Sequence, residues 1–154
     1  MLWAGAITLA PFGISSNGAA PIGQFTARLA YLAGAVICHQ RPDRSFTWAG
    51  QPWPVCARCA GIYLGAAAMA LLFLSVGPRD SRFLPAPGSG ADGASARLAV
   101  GVAVLPAGLS LLWEWATGQT PPNLVRALTG ALIGAVVTWV VMRAFRAEHA
   151  LGVN

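Results

Sequence analysis

The sequence predicts an all-α fold: a small polytopic bundle of membrane helices with three strong spans and a fourth, shorter one. Hydrophobic residues make up 56% of the 154-residue chain and charged residues only 10%, whereas soluble domains contain about 25% charged residues. A soluble fold with so little charge would expose large apolar patches and aggregate. The apolar residues also lie in runs that approach the roughly 20 residues a helix needs to cross a bilayer. Both observations favour a membrane protein.

The first apolar run, Leu2–Ile14, is too short to be counted as a span. We expect residues 1–21 to form an N-terminal apolar segment, either half of a helix or an interfacial piece. A membrane domain over residues 22–145 follows. Its predicted spans are Ile22–Cys38, which is the borderline fourth, and then Val55–Gly77, Leu98–Trp115 and Leu124–Met142.

The connections between these spans differ in composition. Gly77–Ala96 is rich in Gly, Pro, Ser and Asp, which predicts a flexible loop. Residues 146–154 are predicted to form a cytoplasmic tail. Pro106 interrupts the second strong span, Leu98–Trp115, as membrane helices tolerate.

Arginine counts predict the orientation. The loop over residues 78–97 contains three arginines and the C-terminal end contains two, and both lie on one face because two spans separate them. The positive-inside rule makes that face cytoplasmic. The motif loop over residues 38–59 is then extracytoplasmic, beside the short loop Thr117–Asn123 that follows the second strong span. Four tryptophans gather there as an interfacial belt: Trp48, Trp53, Trp113 and Trp115.

The chemistry of the chain is concentrated between residues 38 and 65, which contain all three cysteines and one of the two histidines. Cys56 and Cys59 form a Cys-x-x-Cys pair, which shares one face at a helix start. That spacing is typical of zinc and iron–sulfur ligands, and equally of thiol–disulfide active sites. Cys38 and His39 would complete a tetrahedral Cys3His set. Both can bind one ion only if the chain turns there, because neighbouring side chains diverge on an extended segment.

The clustering of the three cysteines favours a functional site over cysteines that merely pack in the core. A buried cysteine is often only a small hydrophobe, but three thiols in one short stretch favour a functional thiol or metal site. Metal binding is preferred over redox chemistry, because three thiols do not pair off and a histidine is adjacent. An extracytoplasmic position favours redox chemistry instead, since thiols there tend to be oxidised.

A second polar group is predicted at the same face. Glu114 ends one span, and Asn123 and Arg126 begin the next. Ionisable residues at membrane depth are candidates for function. The structural alternative is an ion pair of Glu114 with Arg126 or Arg58, with Asn123 as a helix cap.

Two glycine pairs predict where the helices pack. Small residues four apart let membrane helices approach closely, and close packing of these two helices would bring Arg126 towards Cys59. The pairs are Gly61 with Gly65 and Gly130 with Gly134.

The motifs CHQRPDRSF, PVCARCAGIYLG and PNLVRALTGALIG, with an acid before the last, resemble a family of small bacterial and archaeal predicted membrane proteins, domain of unknown function 2085. The resemblance covers Ala27 to Val140 and implies a polytopic protein of a prokaryotic inner membrane, but no reaction. Such proteins usually begin with a fuller first helix than this one. The motif positions that the resemblance marks are Cys38, His39, Gln40, Arg44, Ser45, Cys56, Arg58, Cys59, Gly61, Tyr63, Gly65, Arg126, Gly130 and Gly134.

Two functions from different classes follow. In the first, Cys38, His39, Cys56 and Cys59 bind zinc, copper or iron, since soft ligands disfavour magnesium and calcium. The residues expected around these ligands are Gln40, Arg44, Arg58, Tyr63, Glu114, Asn123 and Arg126. In the second, Cys56 and Cys59 form the redox pair of a membrane thiol–disulfide oxidoreductase, with a thiol or quinone partner.

Other classes receive less support. A small transporter is a weaker alternative, because the helices lack paired breaks and repeat symmetry. The partner expected in every case is the lipid bilayer. Nucleic-acid binding is not expected, because the arginines form no basic cluster. Hydrolase and kinase motifs are absent from the sequence.

Overall fold

The computed structural model describes residues 1–15, 21–75 and 91–150 of the chain. Within them the protein is an all-α membrane bundle, as predicted. The described helices are α1 (Leu2–Ser15), α2 (Pro21–Ile37), α3 (Ala57–Ser75), α4 (Ala91–Thr117) and α5 (Asn123–Ala150).

The connection between α2 and α3 is built from short elements. A 3-10 turn at Pro42–Arg44 precedes a small antiparallel hairpin of β1 (Thr47–Trp48) and β2 (Gln51–Pro52). A left-handed residue, Ala49 with φ 49°, and Gly50 with φ 77° form the hairpin turn, where two positive φ values match the twist of the strands.

Three of the described helices are long and apolar enough to cross a membrane, at Ala57–Ser75, Gly93–Thr117 and Asn123–Arg146. These match the three strong spans predicted from the sequence. Helix α2 has 17 residues, at the lower end of the spanning range of about 17–25. A fourth crossing therefore stays a prediction.

The predicted loop over 77–96 was wrong at its C-terminal end, because α4 already begins at Ala91. Alanine has the highest helix propensity of all residues, and three alanines (91, 94 and 96) occupy this stretch. Residues 76–90, the rest of that predicted loop, lie outside the described part of the chain. Helix α5 similarly continues to Ala150, so the predicted tail over 146–154 begins as helix.

Helices α3 and α5 pack backbone against backbone. Each of the four predicted packing glycines lies so close to a carbonyl group of the partner helix that a Cβ atom would collide with it. Without a hydrophobic effect between helices in lipid, such close contact supplies the van der Waals attraction that holds them together. The contacts pair Gly61 with Ala127, Gly65 with Ala131, Gly130 with Arg58 and Gly134 with Ile62.

Helix α1 covers the start of α3. Ile7 is fully buried against Val55 and Ala60. Trp3 meets Tyr63 edge to face, with ring centroids 5.9 Å apart, a favourable geometry for aromatic pairs. The N-terminal segment therefore packs onto the membrane domain and contributes to the core around the cysteines.

The glycine contacts predict opposite effects for one substitution at two sites. Gly130→Ala should destabilise the protein by about 1–3 kcal/mol, because the added methyl group overpacks the α3–α5 contact. Gly101→Ala should be neutral or slightly stabilising, because its Cβ meets nothing within 4 Å and alanine is the better helix former. Thermal unfolding of both variants in detergent checks the difference, and equal effects would contradict the packing.

Candidate functional site

The three cysteines come together at the start of α3. Their Sγ atoms all lie within 4.8 Å of one another. Cys38 directly follows α2, Cys56 directly precedes α3, and Cys59 lies on its first turn. All three are free and half-buried. Two separate chain segments thus present their thiols to one point.

Gln40 holds the end of α2 against the segment that leads into α3. Its Nε2 donates to the carbonyl oxygens of Tyr31 at 2.6 Å and Pro54 at 2.8 Å. Its backbone is left-handed, with φ 44°, a conformation common just after a helix ends. The chain therefore turns immediately after Cys38. A Cβ atom at Gly34 would collide with the Pro54 carbonyl, so glycine permits this approach.

His39 lies outside the group formed by the three thiols, and its side chain is exposed. The turn at Gln40 follows it directly. The structure therefore joins three of the four predicted ligands and leaves the histidine at the surface beside them.

Hydrogen bonds favour the thiolate form of Cys56. The Cys59 thiol donates to the Cys56 sulfur and lowers the pKa of Cys56 to about 5, against the opposing effect of burial. The backbone N–H groups of Cys59 and Arg58 act in the same direction as the thiol, because the first N–H groups of a helix have no partner within it. Cys56 is consequently a thiolate at neutral pH, the form that attacks disulfides and binds metals.

Cys38 is linked to the same point through the backbone. Its Sγ accepts a hydrogen bond from the Cys56 N–H at 3.2 Å. Cys38 and Cys59 pack, with Trp3, Trp53 and Tyr63, against an apolar core of three buried residues: Ile7, Val55 and Ala60. Neither Trp3 nor Gly34 was predicted from the sequence, because only their tertiary contacts distinguish them from ordinary helix residues.

A buried ion-pair cluster lies close to the thiols. Glu114, on the last turn of α4, is only 7% exposed. Its Oε1 lies 2.6 Å from Arg44 Nη2 and its Oε2 lies 3.4 Å from Arg126 Nη2. Arg126 was a predicted partner and Arg44 was not. Arg58, the other predicted partner, instead donates to Ser110 Oγ at 2.8 Å.

Asn123 joins the motif loop to the start of α5. Its Nδ2 donates to the carbonyl oxygen of Ser45 at 3.0 Å, a contact made by the side chain that the sequence suggested as a helix cap. Ser45 is itself buried and donates through Oγ to the Arg41 carbonyl at 2.9 Å. The motif loop and the loop between α4 and α5 therefore lie at one face, as the sequence predicted.

Fold and site together define a multi-pass membrane protein with a thiol cluster and a buried charge cluster at one end of the bundle. The chain belongs to the family described as "Predicted membrane protein (DUF2085)", whose sequence model matches residues 38–140. That range includes the three cysteines and both glycine pairs, and the match confirms the family resemblance.

Two archaeal proteins, both uncharacterised, are similar to this chain. One from Methanothermobacter thermautotrophicus is 60% identical over 30 residues, which are 20% of this chain and 27% of that protein. One from Methanocaldococcus jannaschii is 33% identical over 79 residues, which are 51% of each chain. The chain thus spans about half or less of the curated relatives it matches. No solved structure matches it.

Alkylation of Cys56 should follow its lowered pKa. Only the thiolate reacts, so the rate with iodoacetamide should fall as the pH drops through about 5 and be constant at neutral pH. Cys59→Ala removes the thiol donor and should shift the midpoint up, towards the ordinary cysteine pKa of about 8.5. Peptide mass spectrometry of quenched samples gives the rate. A folded-state rate that still rises steeply above neutral pH would contradict the assignment.

Proposed function

We propose that the protein is an integral membrane protein that binds one zinc, copper or iron ion through Cys38, Cys56 and Cys59. The observation that supports it is the convergence of three Sγ atoms within 4.8 Å. A zinc–sulfur bond of about 2.3 Å places neighbouring sulfurs of a tetrahedral site about 3.8 Å apart. Side-chain rotation of the three cysteines supplies that small contraction.

The surroundings of the thiols suit metal binding. Cysteine binds metals as a thiolate, and Cys56 already has a pKa of about 5. The Cys56 N–H bonded to Cys38 Sγ is the kind of outer contact that orients a ligand. The charge of Arg58 interacts with Cys56 and Cys59 and so favours their anionic forms. Thiolates select zinc, copper(I) or iron over magnesium and calcium.

His39 is our proposed fourth ligand. It follows Cys38 directly, and its exposed side chain can turn towards the thiols without uncovering the core. We propose that six neighbouring residues keep the two segments that carry the cysteines in position: Gln40, Arg44, Tyr63, Glu114, Asn123 and Arg126.

We also propose that this site faces away from the cytoplasm. The arginines of the C-terminal end, Arg143 and Arg146, lie at the opposite end of α5 from Asn123. By the positive-inside rule that end is cytoplasmic.

The second candidate is a thiol–disulfide oxidoreductase, favoured by the lowered pKa of Cys56. The Cys56 thiolate would attack a disulfide of a partner protein, forming a mixed disulfide and releasing one partner thiolate. Cys59, deprotonated, would then attack Cys56, leaving a Cys56–Cys59 disulfide and a fully reduced partner. In this direction the chain would give two electrons to the partner disulfide, and a second thiol partner would return them by reducing the Cys56–Cys59 disulfide. In the opposite direction the Cys56–Cys59 disulfide would oxidise a partner dithiol, and a membrane quinone would reoxidise the pair by taking up two electrons and two protons.

Metal content tests the first proposal. Protein purified anaerobically in detergent should contain about one equivalent of zinc, copper or iron by mass spectrometry. Cys59→Ser should lose the metal, because it replaces a thiolate ligand with a hydroxyl group. Ala68→Ser, which places the same hydroxyl on an exposed position of α3, should retain it.

His39→Ala separates a four-ligand site from a three-ligand site. If His39 is a ligand, the variant should bind the metal at least about tenfold more weakly, the equivalent of about 1.4 kcal/mol. Unchanged affinity would remove His39 from the site while leaving the three thiols. A metal-free wild-type protein would contradict the proposal as a whole.

Thiol counting on the same sample tests the second candidate. An exchange site should yield one free thiol and a Cys56–Cys59 disulfide after oxidation, and three free thiols after mild reduction. A bound metal should instead keep the thiols reduced and protected from alkylation until a chelator is added. Three unprotected thiols that never form a disulfide would argue against both candidates.

A further inference from the structure

We propose a second ligand site, in which Arg58 and Arg126 bind a phosphate group between the first turns of α3 and α5. The phosphate chemistry is common to two sources, inorganic phosphate and the headgroup of an anionic phospholipid. The thiols are not part of this site, so it does not depend on the proposed metal.

Arg126 provides the main observation. It is only 4% exposed, and its one described polar contact joins Nη2 to Glu114. Its Nε and Nη1 are buried with no hydrogen-bond partner in the described part of the chain. Buried donors on a charged group are costly to leave unmatched. The unmatched donors therefore indicate an acceptor that the described residues do not supply.

Arg58 lies beside these donors with one of its own. Its Nη2 is bonded to Ser110, whereas its Nε is buried without a partner among the described residues. The guanidinium groups of Arg58 and Arg126 are close enough to repel each other. Like charges are costly to hold together at low dielectric. Glu114 interacts with both Arg58 and Arg126, but its one negative charge is also shared with Arg44.

The described acids nearby leave Nε and Nη1 of Arg126 unmatched. Both carboxylate oxygens of Glu114 are used, one by Arg44 and one by Arg126. Asp43 lies on the exposed motif loop, where it pairs with Arg41 and Arg44. Neither acid accepts a hydrogen bond from Nε or Nη1 of Arg126.

The backbone favours an anion at the same place. Arg58 is the second residue of α3 and Arg126 is the fourth of α5, so two helix N-termini face this region. The N-terminal end of a helix carries partial positive charge and outward N–H groups, which bind phosphate. The positive potential around the two guanidinium groups is thereby increased unless an anion is present.

Phosphate fits the donor geometry and the depth. A phosphate group has several acceptor oxygens, which can each accept from a separate N–H group of the two guanidinium groups. Both arginines lie in the first turn of a spanning helix, which is the level of lipid headgroups at a bilayer surface. Phospholipid headgroups and soluble phosphate are both present at that level.

Thermal unfolding of the full-length protein in detergent tests the site with two probes. Sodium phosphate, compared with sodium chloride at equal ionic strength, should raise the midpoint of unfolding in a saturable way. Nanodiscs of phosphatidylglycerol should do so relative to nanodiscs of phosphatidylcholine. Arg126→Gln and Arg58→Gln should each weaken the effective probe at least about tenfold, as expected for loss of a charged hydrogen-bond donor. Arg97→Gln, at an exposed position of α4, should change nothing.

The outcomes separate the two sources. Saturable stabilisation by inorganic phosphate identifies a soluble anion, and stabilisation by phosphatidylglycerol alone identifies a lipid headgroup. Arg126→Lys keeps the charge but loses the paired donors, so it should recover only part of the affinity. A wild-type protein indifferent to both probes, or full binding by both glutamine variants, overturns the proposal.

One further variant keeps this test apart from the metal test. Cys59→Ser removes a thiol but neither arginine, and it should still respond to the phosphate probe with wild-type affinity or better. Loss of the metal with retention of this response would show that the phosphate site does not require the metal site.

Discussion

The close contact between the backbones of α3 and α5 is the constraint on which the rest of the site depends. Gly130 lies against the carbonyl of Arg58. The residue that packs against α5 is thus also one whose charge interacts with Glu114 and Arg126. A larger residue at Gly130 would push the first turns of the two helices apart. Cys59, which lies on that turn of α3, would then lose its position relative to Arg126. Packing and chemistry are therefore fixed by one interaction.

The motif loop is held over this helix pair by several polar contacts instead of a disulfide. Gln40 donates a hydrogen bond to the carbonyl of Tyr31 in α2. Asn123 of α5 donates to the carbonyl of Ser45 in the loop. Arg44 of the loop forms an ion pair with Glu114 of α4. Each contact joins a loop residue to a different helix. Because hydrogen bonds to buried carbonyl and carboxylate groups are costly to break, the loop can position Cys38 while all three thiols stay free.

The sequence predicted those features that depend on local spacing. Cys56 and Cys59 are three apart, so any helix beginning there puts them together, and the glycine pairs needed only the four-residue repeat. The pairing of Arg44 with Glu114 spans 70 positions of the numbering, and no local pattern indicates it. Gly34 was missed for the same reason, since its requirement arises from a chain segment twenty residues later. The start of α4 was misjudged because Gly and Asp outweighed the alanines among them.

The two proposed ligands influence each other through Arg58, whose charge interacts with Cys56, Cys59 and Arg126. Three thiolates around a divalent ion carry a net charge of about −1, by the formal charges of thiolate and ion. That negative charge would offset part of the positive potential of Arg58, which otherwise attracts phosphate. The coupling between two binding sites is reciprocal. If bound metal weakens the binding of phosphate, bound phosphate must weaken the binding of the metal by the same factor. If both proposals hold, Arg58 would be the residue through which a ligand at the membrane surface alters the state of the thiols.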